Sequence, residues 1–481
     1  MTATAFARHL EAPSGQGHAP PGAHAGAAGG AACRDLIRVS VRVQGDRVTE
    51  AGFAAQGCGA LVAAGSATVT LVRDRPLLAA ARVGAGEIAA ELGGLLPARR
   101  HAAELAADAL HRALGAATRH DAAIAADRDR TLVAMSGGVD SAVAALLCAR
   151  AGGDVVAVTL ELWADAANDA ERSCCSAQAV RGARSLAHRM GLPHLTLDLR
   201  EEFRAGVVDP FVADHAAGLT PNPCVRCNGH VRLDAMLALA ERLGAATLAT
   251  GHYARVARDA GGAVLRVAAD PAKDQSYMLA AVSPRTLERL RFPLGDLRKP
   301  AVRALAAEAG LPVADRRDSQ DLCFLAGTDR ASFLARHGGV EARPGDVVDG
   351  GGRRIGRHPG HHGFTVGQRR GLGVGGGEPL YVLGTDARTN RVVAGPRRAL
   401  SRSRVAVRGA ILHRDAEAVD RVKLRYRSRP LPCRVAGPAA AGHHGRLELQ
   451  LGEPVDGAAP GQTACLMAGD LVVGHATIAR A

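Results

Sequence analysis

The sequence predicts a multidomain protein. An α+β domain comes first, then a doubly wound α/β domain, a small central domain and a C-terminal β-barrel. Three observations predict this. Strand-length apolar runs alternate with helix-length amphipathic runs between Thr131 and Gly251, the pattern of a parallel sheet covered by helices. Short alternating runs separated by turn signals fill the chain after Ala399, as in a small all-β unit. A length of 481 residues is too great for one core and suits two to four domains.

Taken in order, residues 1–28 are rich in Pro, Gly, His and Ala, lack a periodic apolar pattern and read as a disordered tail. A first domain spans 29–115. Leu36–Val43 and Val48–Ala54 read as strands around the turn Gly45-Asp46, and Ala60–Val72, Glu87–Leu95 and His101–Leu114 as helices. The Ala-rich, charged stretch 116–130 reads as a linker. The α/β domain takes 131–327. Its strands are Thr131–Met135, Val155–Leu160, His194–Leu199 and Thr247–Thr250; its helices include Ser176–Met190 and Val231–Leu243, each stopped by glycine. Residues 328–398 form the central domain, dense in Gly, Arg and His. The barrel domain, 399–481, has runs at Val405–Val407, Val422–Tyr426, Cys433–Val435 and Leu447–Leu451.

Hydrophobic residues make up 47% of the chain, enough for packed cores, with no apolar run of spanning length and no signal pattern. The expectation is a cytoplasmic protein without a membrane partner. A net charge of +13 suits a polyanion such as RNA. A GC-rich genome is the competing source of the charge, because only Lys273, Lys299 and Lys423 are lysines and the rest is Arg. Ten cysteines in a reducing compartment point to thiol or metal chemistry rather than a disulfide scaffold.

The strongest local signal is Ser136-Gly137-Gly138-Val139-Asp140-Ser141, between a predicted strand and a predicted helix. Paired glycines let the backbone approach an anion, the serines add hydroxyl donors, and the helix start adds N–H groups and a positive dipole end. No lysine follows the glycines, so this is not the usual P-loop. The string resembles the pyrophosphatase loop (PP-loop) of Rossmann-like enzymes that split ATP into AMP and pyrophosphate; a ligand-free turn is the bland alternative. The resemblance implies ATP contacts from Ala134, Met135, Ser136, Gly137, Gly138, Val139, Asp140, Ser141, Leu160 and Gly251, with Asp140 helping to hold Mg²⁺ on the phosphates.

The first domain resembles the iron–sulfur scaffold family of NifU-type N-terminal domains. The match rests on Ala32-Cys33-Arg34-Asp35, on Gly57-Cys58-Gly59-Ala60 and on His101–Ala109. Scaffolds of that family hold a cluster or zinc on three Cys with help from an Asp and a His. Cys33, Asp35, Cys58 and His101 fit that set, but Ala102 stands where the third Cys belongs. A degenerate iron or zinc site and a purely docking domain are both open.

The remaining motifs are Thr220-Pro221-Asn222-Pro223-Cys224-Val225-Arg226-Cys227-Asn228, Asp318-Ser319-Gln320-Asp321-Leu322-Cys323, Thr250-Gly251-His252-Tyr253, Lys273-Asp274-Gln275 and Gly367-Gln368-Arg369-Arg370-Gly371. In their order along the chain they resemble the tRNA-specific 2-thiouridylase family, from about Thr131 to the C-terminus. That resemblance implies adenylation of the C2 oxygen of the wobble uridine and its replacement by sulfur. It makes Cys227 the nucleophile and Cys323 the persulfide carrier, with a disulfide between them after transfer; the positive charge of Arg226, adjacent in sequence, favours the Cys227 thiolate. It also implies tRNA contacts from His252, Lys273, Asp274, Gln275, Gln368, Arg425 and Tyr426, and a sulfur donor, a cysteine desulfurase or relay protein.

Cys224 departs from the pattern, where many members have Asp. Cys224, Cys227 and Cys323 are therefore also candidates for a [4Fe–4S] cluster with an open iron for hydrosulfide. Structural zinc on Cys224 and Cys227 with Cys174 and Cys175, and a merely buried Cys224, are the plainer options. Two other functions stand against thiolation: a PP-loop amidating ligase of the argininosuccinate or GMP synthetase kind, which has no use for Cys227 and Cys323, and a non-catalytic iron–sulfur carrier, which forms no AMP.

Overall fold

The computed structural model describes residues 4–29, 34–165, 176–316, 322–375 and 378–480. The chain divides into two compact units. The first contains Met1–Arg200, Asp234–His252 and Arg289–Cys323; the second contains Glu201–Leu233, Tyr253–Glu288 and Phe324–Ala481.

In the first unit, an antiparallel sheet of His24–Gly29, Leu36–Gln44 and Arg47–Gln56 packs with helices Gly59–Val72 and Arg100–His120. The expected disordered tail is thus corrected. Ala5–Glu11 is a helix, and His24–Gly29 pairs with the next strand from His24↔Val41 to Gly29↔Leu36. The sequence His-Ala-Gly-Ala-Ala-Gly carries no apolar alternation because the site needs small side chains: a Cβ on Gly26 would lie 2.2 Å from the Ala109 carbonyl oxygen. The expected linker also shortens, since one helix runs to His120 and the next strand starts at Asp127.

The α/β sheet has five parallel strands in the order Leu290–Arg291, Ala245–Thr250, Asp127–Ala134, Val155–Glu161, His194–Asp198. The chain adds strands to one side of Asp127–Ala134 and then crosses to the other. Ligands of such sheets bind at that reversal, beyond the carboxyl ends of the strands. Here the reversal falls between Asp127–Ala134 and Ala245–Thr250, with Ala134 opposite Thr250.

His194–Asp198 is an edge strand, and the N-terminal domain covers it. The His194 N–H donates to Ala81 O at 2.9 Å, and Arg82 Nε donates to Gly191 O at 3.1 Å. Helix Arg100–His120 approaches so closely that a Cβ on Gly115 would lie 1.9 Å from Thr196 O. Buried ion pairs lock the contact. Asp108 accepts from Arg181 Nε at 2.6 Å and Arg184 Nη2 at 2.7 Å, and Arg112 forks onto Glu161, its Nε at 3.1 and 3.0 Å from the two oxygens. His111, His188 and His194 cluster there, with His111 and His194 fully buried.

In the second unit, Arg354–His358, Gly345–Val348, Arg391–Pro396 and Leu380–Asp386 make a four-stranded sheet over Val347, Phe364, Val382 and Val392. Ser401–Leu412, Gly442–Asp456, Leu431–Val435, Arg421–Lys423, Thr463–Ala468 and Leu471–Ile478 form a barrel, closed because its first and last strands pair. The hairpin Arg255–Asp259/Gly262–Arg266, from mid-chain, extends Leu471–Ile478. The predicted strand Val422–Tyr426 stops at Lys423, and Arg425 and Tyr426 lie in the following turn, whose Ser428 hydroxyl caps Arg425 O at 2.9 Å. Among the described residues no helix is long and apolar enough to cross a membrane.

Candidate nucleotide site and thiol loop

Strand Asp127–Ala134 ends buried at Ala134 and Met135, and Ser136-Gly137 turns the chain into helix Val139–Arg150. Gly137 has φ +74°, a conformation that favours glycine, and Gly138 is the N-cap. The turn braces itself: Ser141 Oγ accepts from Ser136 N–H at 3.1 Å and donates to Gly138 O at 3.0 Å. Gly251, at the end of the neighbouring strand, presses against the same helix start; a Cβ there would meet Ser141 N at 2.7 Å and Asp140 C at 2.8 Å. Leu160 is buried at the end of the strand on the other side. The residues predicted to hold ATP therefore converge at the sheet reversal.

Two cations that sequence reasoning missed reach this turn. Lys299 Nζ donates to both Asp140 oxygens, at 2.7 and 2.8 Å, and Arg316 Nη1 donates to Gly137 O at 3.0 Å. The only available signal was the scarcity of lysine. His252 sits at the strand end with Nδ1 2.7 Å from Thr250 Oγ1 and its ring edge-on to Phe292.

In the second unit, Asn222 caps the short helix Pro223–Cys227, its Oδ1 accepting from Cys224 N–H at 3.2 Å and Val225 N–H at 3.3 Å. Cys227 is buried and Cys224 partly exposed. Arg226 Nε donates to Gly206 O at 2.6 Å, so the guanidinium is tied to backbone. Tyr426 lies in this neighbourhood. Burial, then the Asp274 carboxylate, pushes its hydroxyl up; Arg427 and Lys273 oppose and the Cys224 thiol adds to the rise. Asp274 is turned inward, accepting from Ala268 N–H at 3.1 Å and Ser276 Oγ at 2.8 Å and facing Lys423 Nζ at 3.5 Å. Gln275 Oε1 accepts from Tyr253 N–H at 2.9 Å. Gln368 folds onto its own loop, Oε1 accepting from Thr365 N–H and Nε2 donating to Arg370 O. Arg425 is exposed, with Nη2 on Gly457 O at 2.6 Å.

Cys323 opens the turn Cys323–Leu325, and the next residue, Phe324, is anchored among Phe203, Phe211 and Phe333. The Asp318–Asp321 part of its motif, with Cys33, Cys174 and Cys175, lies outside the described residues.

The N-terminal domain holds the one group of three convergent metal-type ligands found among the described residues, Asp35, Cys58 and His101. Asp35 Oδ2 lies 3.0 Å from His101 Nε2 and 3.3 Å from Cys58 Sγ, and its Oδ1 accepts from Cys58 N–H at 3.1 Å. Gly57 makes this possible, since a Cβ there would strike Asp35 Oδ1 at 2.1 Å. His101 Nδ1 faces Ala98 O at 3.0 Å, which leaves Nε2 for the carboxylate or a cation between them. The S, N and O donors fit iron or zinc, and buried Ala102 supplies none.

Family models match along the whole chain: a NifU-like N terminal domain over residues 3–122, a tRNA methyl transferase HUP domain over 129–327, a tRNA methyl transferase PRC-barrel domain over 331–396 and an aminomethyltransferase beta-barrel domain over 412–478. The class is therefore a tRNA-modifying transferase built on a HUP domain, with a NifU-like domain in front. The chain is 46% identical over 489 aligned residues to the bifunctional protein NifU/MnmA of Rubrobacter xylanophilus, covering 98% of this chain and 97% of that one. It is 44% identical to the tRNA-specific 2-thiouridylase MnmA of Acidithiobacillus ferrooxidans, over 72% of this chain and 97% of that one. It is 47% identical to that of Xanthobacter autotrophicus, over 73% and 93%. The chain belongs to the tRNA-specific 2-thiouridylase family, in its bifunctional form with a NifU-like domain.

Proposed function

We propose that this chain replaces the C2 oxygen of the wobble uridine of tRNA with sulfur, using ATP as the activating agent. The observation that carries the reading is the SGGVDS turn at the sheet reversal, with Gly251 pressed against its helix start. A uracil carbonyl oxygen is a poor leaving group. Attack of that oxygen on the α-phosphorus expels pyrophosphate and makes AMP the leaving group. The terminal sulfur of a persulfide on Cys323 then attacks C2 and AMP departs. The Cys227 thiolate cleaves the remaining S–S bond, leaving 2-thiouridine and a Cys227–Cys323 disulfide for an external thiol to reduce. Mg²⁺ accompanies the ATP, and Asp140 is the carboxylate beside the turn. Sulfur comes from a cysteine desulfurase or a relay protein. His252, Lys273, Asp274, Gln275, Gln368, Arg425 and Tyr426 are the proposed tRNA contacts; Asp274 and Gln275 also brace the loop that carries them. The Asp35–Cys58–His101 group is the proposed iron or zinc site of the N-terminal domain.

Cys227→Ser should abolish thiolated tRNA in a mass-spectrometric nucleoside assay and leave ATP binding intact; unchanged thiolation overturns the assignment. Iron and sulfide analysis of anaerobically purified protein separates the two sulfur routes. Iron-free, active wild type and active Cys224→Ala support the persulfide. Iron whose loss in Cys224→Ala removes activity transfers the role to a cluster on Cys224, Cys227 and Cys323.

A further inference from the structure

The nucleotide turn carries no lysine in its own sequence, yet one reaches it from 159 residues away. Lys299 opens helix Lys299–Glu308, which packs against helix Val139–Arg150. A cation at a helix N-terminus opposes the dipole, so helix stability does not account for it. Its side chain is 10% exposed and ends on Asp140, which is 31% exposed, so the ammonium lies beneath a carboxylate that opens onto the turn. Arg316 takes the Gly137 carbonyl, which keeps that oxygen occupied away from an incoming anion. The turn's own donors are N–H groups and hydroxyls, partial charges set against the several full charges of a triphosphate.

On the reading that this turn holds ATP, we propose that Lys299 is the cation that binds the terminal phosphates and neutralises pyrophosphate as it leaves. When the uridine oxygen bonds to the α-phosphorus, the bond from that phosphorus to the bridging oxygen breaks and its electron pair passes to pyrophosphate. Lys299 exchanges Asp140 for the terminal phosphates when the nucleotide binds, and its charge then offsets the charge that pyrophosphate gains as the bond breaks; Asp140 would be the carboxylate to hold Mg²⁺ on those phosphates. Arginine-rich as this chain is, the position uses a compact ammonium, which suits a point contact to phosphate.

The competing role is that Lys299 merely orients Asp140. Titration calorimetry of the full chain with ATP, AMP and inorganic pyrophosphate, each with Mg²⁺, separates the two. Lys299→Met should weaken ATP and pyrophosphate roughly tenfold to a hundredfold and leave AMP within about twofold, as expected for loss of a charged hydrogen bond to one end of the ligand. Lys299→Arg should recover most of the loss. Lys299→Gln, which still hydrogen-bonds Asp140, carries the same expectation should methionine disturb folding. Adding Lys299→Met to Asp140→Asn should weaken pyrophosphate further. Equal weakening of ATP and AMP, or a double variant identical to Asp140→Asn, overturns the proposal. Wild type that binds no ATP overturns the proposed function as well; wild type that binds ATP beside an unaffected Lys299→Met overturns this inference alone.

Discussion

Gly251 shows how much one missing side chain can decide. It ends its strand against the backbone of Asp140 and Ser141, contacts that cannot move aside as a flexible side chain would. Gly251→Ala should cost about 1–3 kcal/mol through overpacking and weaken ATP binding by displacing the helix start. Chemical denaturation and nucleotide titration of the purified variant check both, and unchanged ATP affinity would refute the second. The loop residues were legible in the sequence because strand, paired glycines and helix are contiguous. Lys299 and Arg316 were not, because their tie to the loop exists only in three dimensions. Asp274 shows what a motif leaves out. The motif Lys273-Asp274-Gln275 reads as one RNA-facing unit, yet its middle carboxylate serves Ser276, Ala268 and Lys423.

At the scale of elements, helix Arg100–His120 and the edge strand His194–Asp198 form the join that holds the N-terminal domain. An open sheet edge invites unwanted pairing, and this domain covers it. The join should be acid-sensitive. Burial, then Arg184 and His188, holds His111 well below its ordinary value; burial, then His111 and Arg184, does the same for His194, and burial lowers His188 less strongly. Unfolded imidazoles take protons near pH ~6.5. The folded, neutral rings therefore contribute stability that is complete above that pH and is lost as pH falls below it toward their depressed folded values. Thermal unfolding followed by the single tryptophan, Trp163, should show a falling midpoint below about pH 6.5, and a flat profile would contradict this. The α/β strands were legible from their apolar runs. His24–Gly29 was not, because close packing on Ala109 selects glycine and alanine, which also fill disordered tails.

For the whole molecule, the order of domains was readable because the α/β and barrel domains differ in apolar period and the stretch between them in composition. The hairpin Arg255–Arg266 escaped that reading: its barrel partners lie some two hundred residues on, as in Leu471↔Arg266. Family members such as that of Acidithiobacillus ferrooxidans align with only 72% of this chain, so the N-terminal domain is an addition to the family's common part. Here it packs on the edge strand His194–Asp198. Deleting residues 1–122 leaves Glu161 and Arg184 without their buried partners and bares the strand His194–Asp198. The truncated protein should unfold at a lower temperature and self-associate on size-exclusion chromatography; a monomer as stable as the full chain would show the join to be dispensable. The ion pairs and glycine contacts of that join carry a kinetic consequence. A carrier on a flexible tether searches a volume and delivers at an effective concentration set by linker length. The Asp35–Cys58–His101 group belongs to a domain bolted to the α/β sheet, so its distance from the nucleotide turn is fixed by folding, and lengthening the short connection 121–126 should leave that distance unchanged.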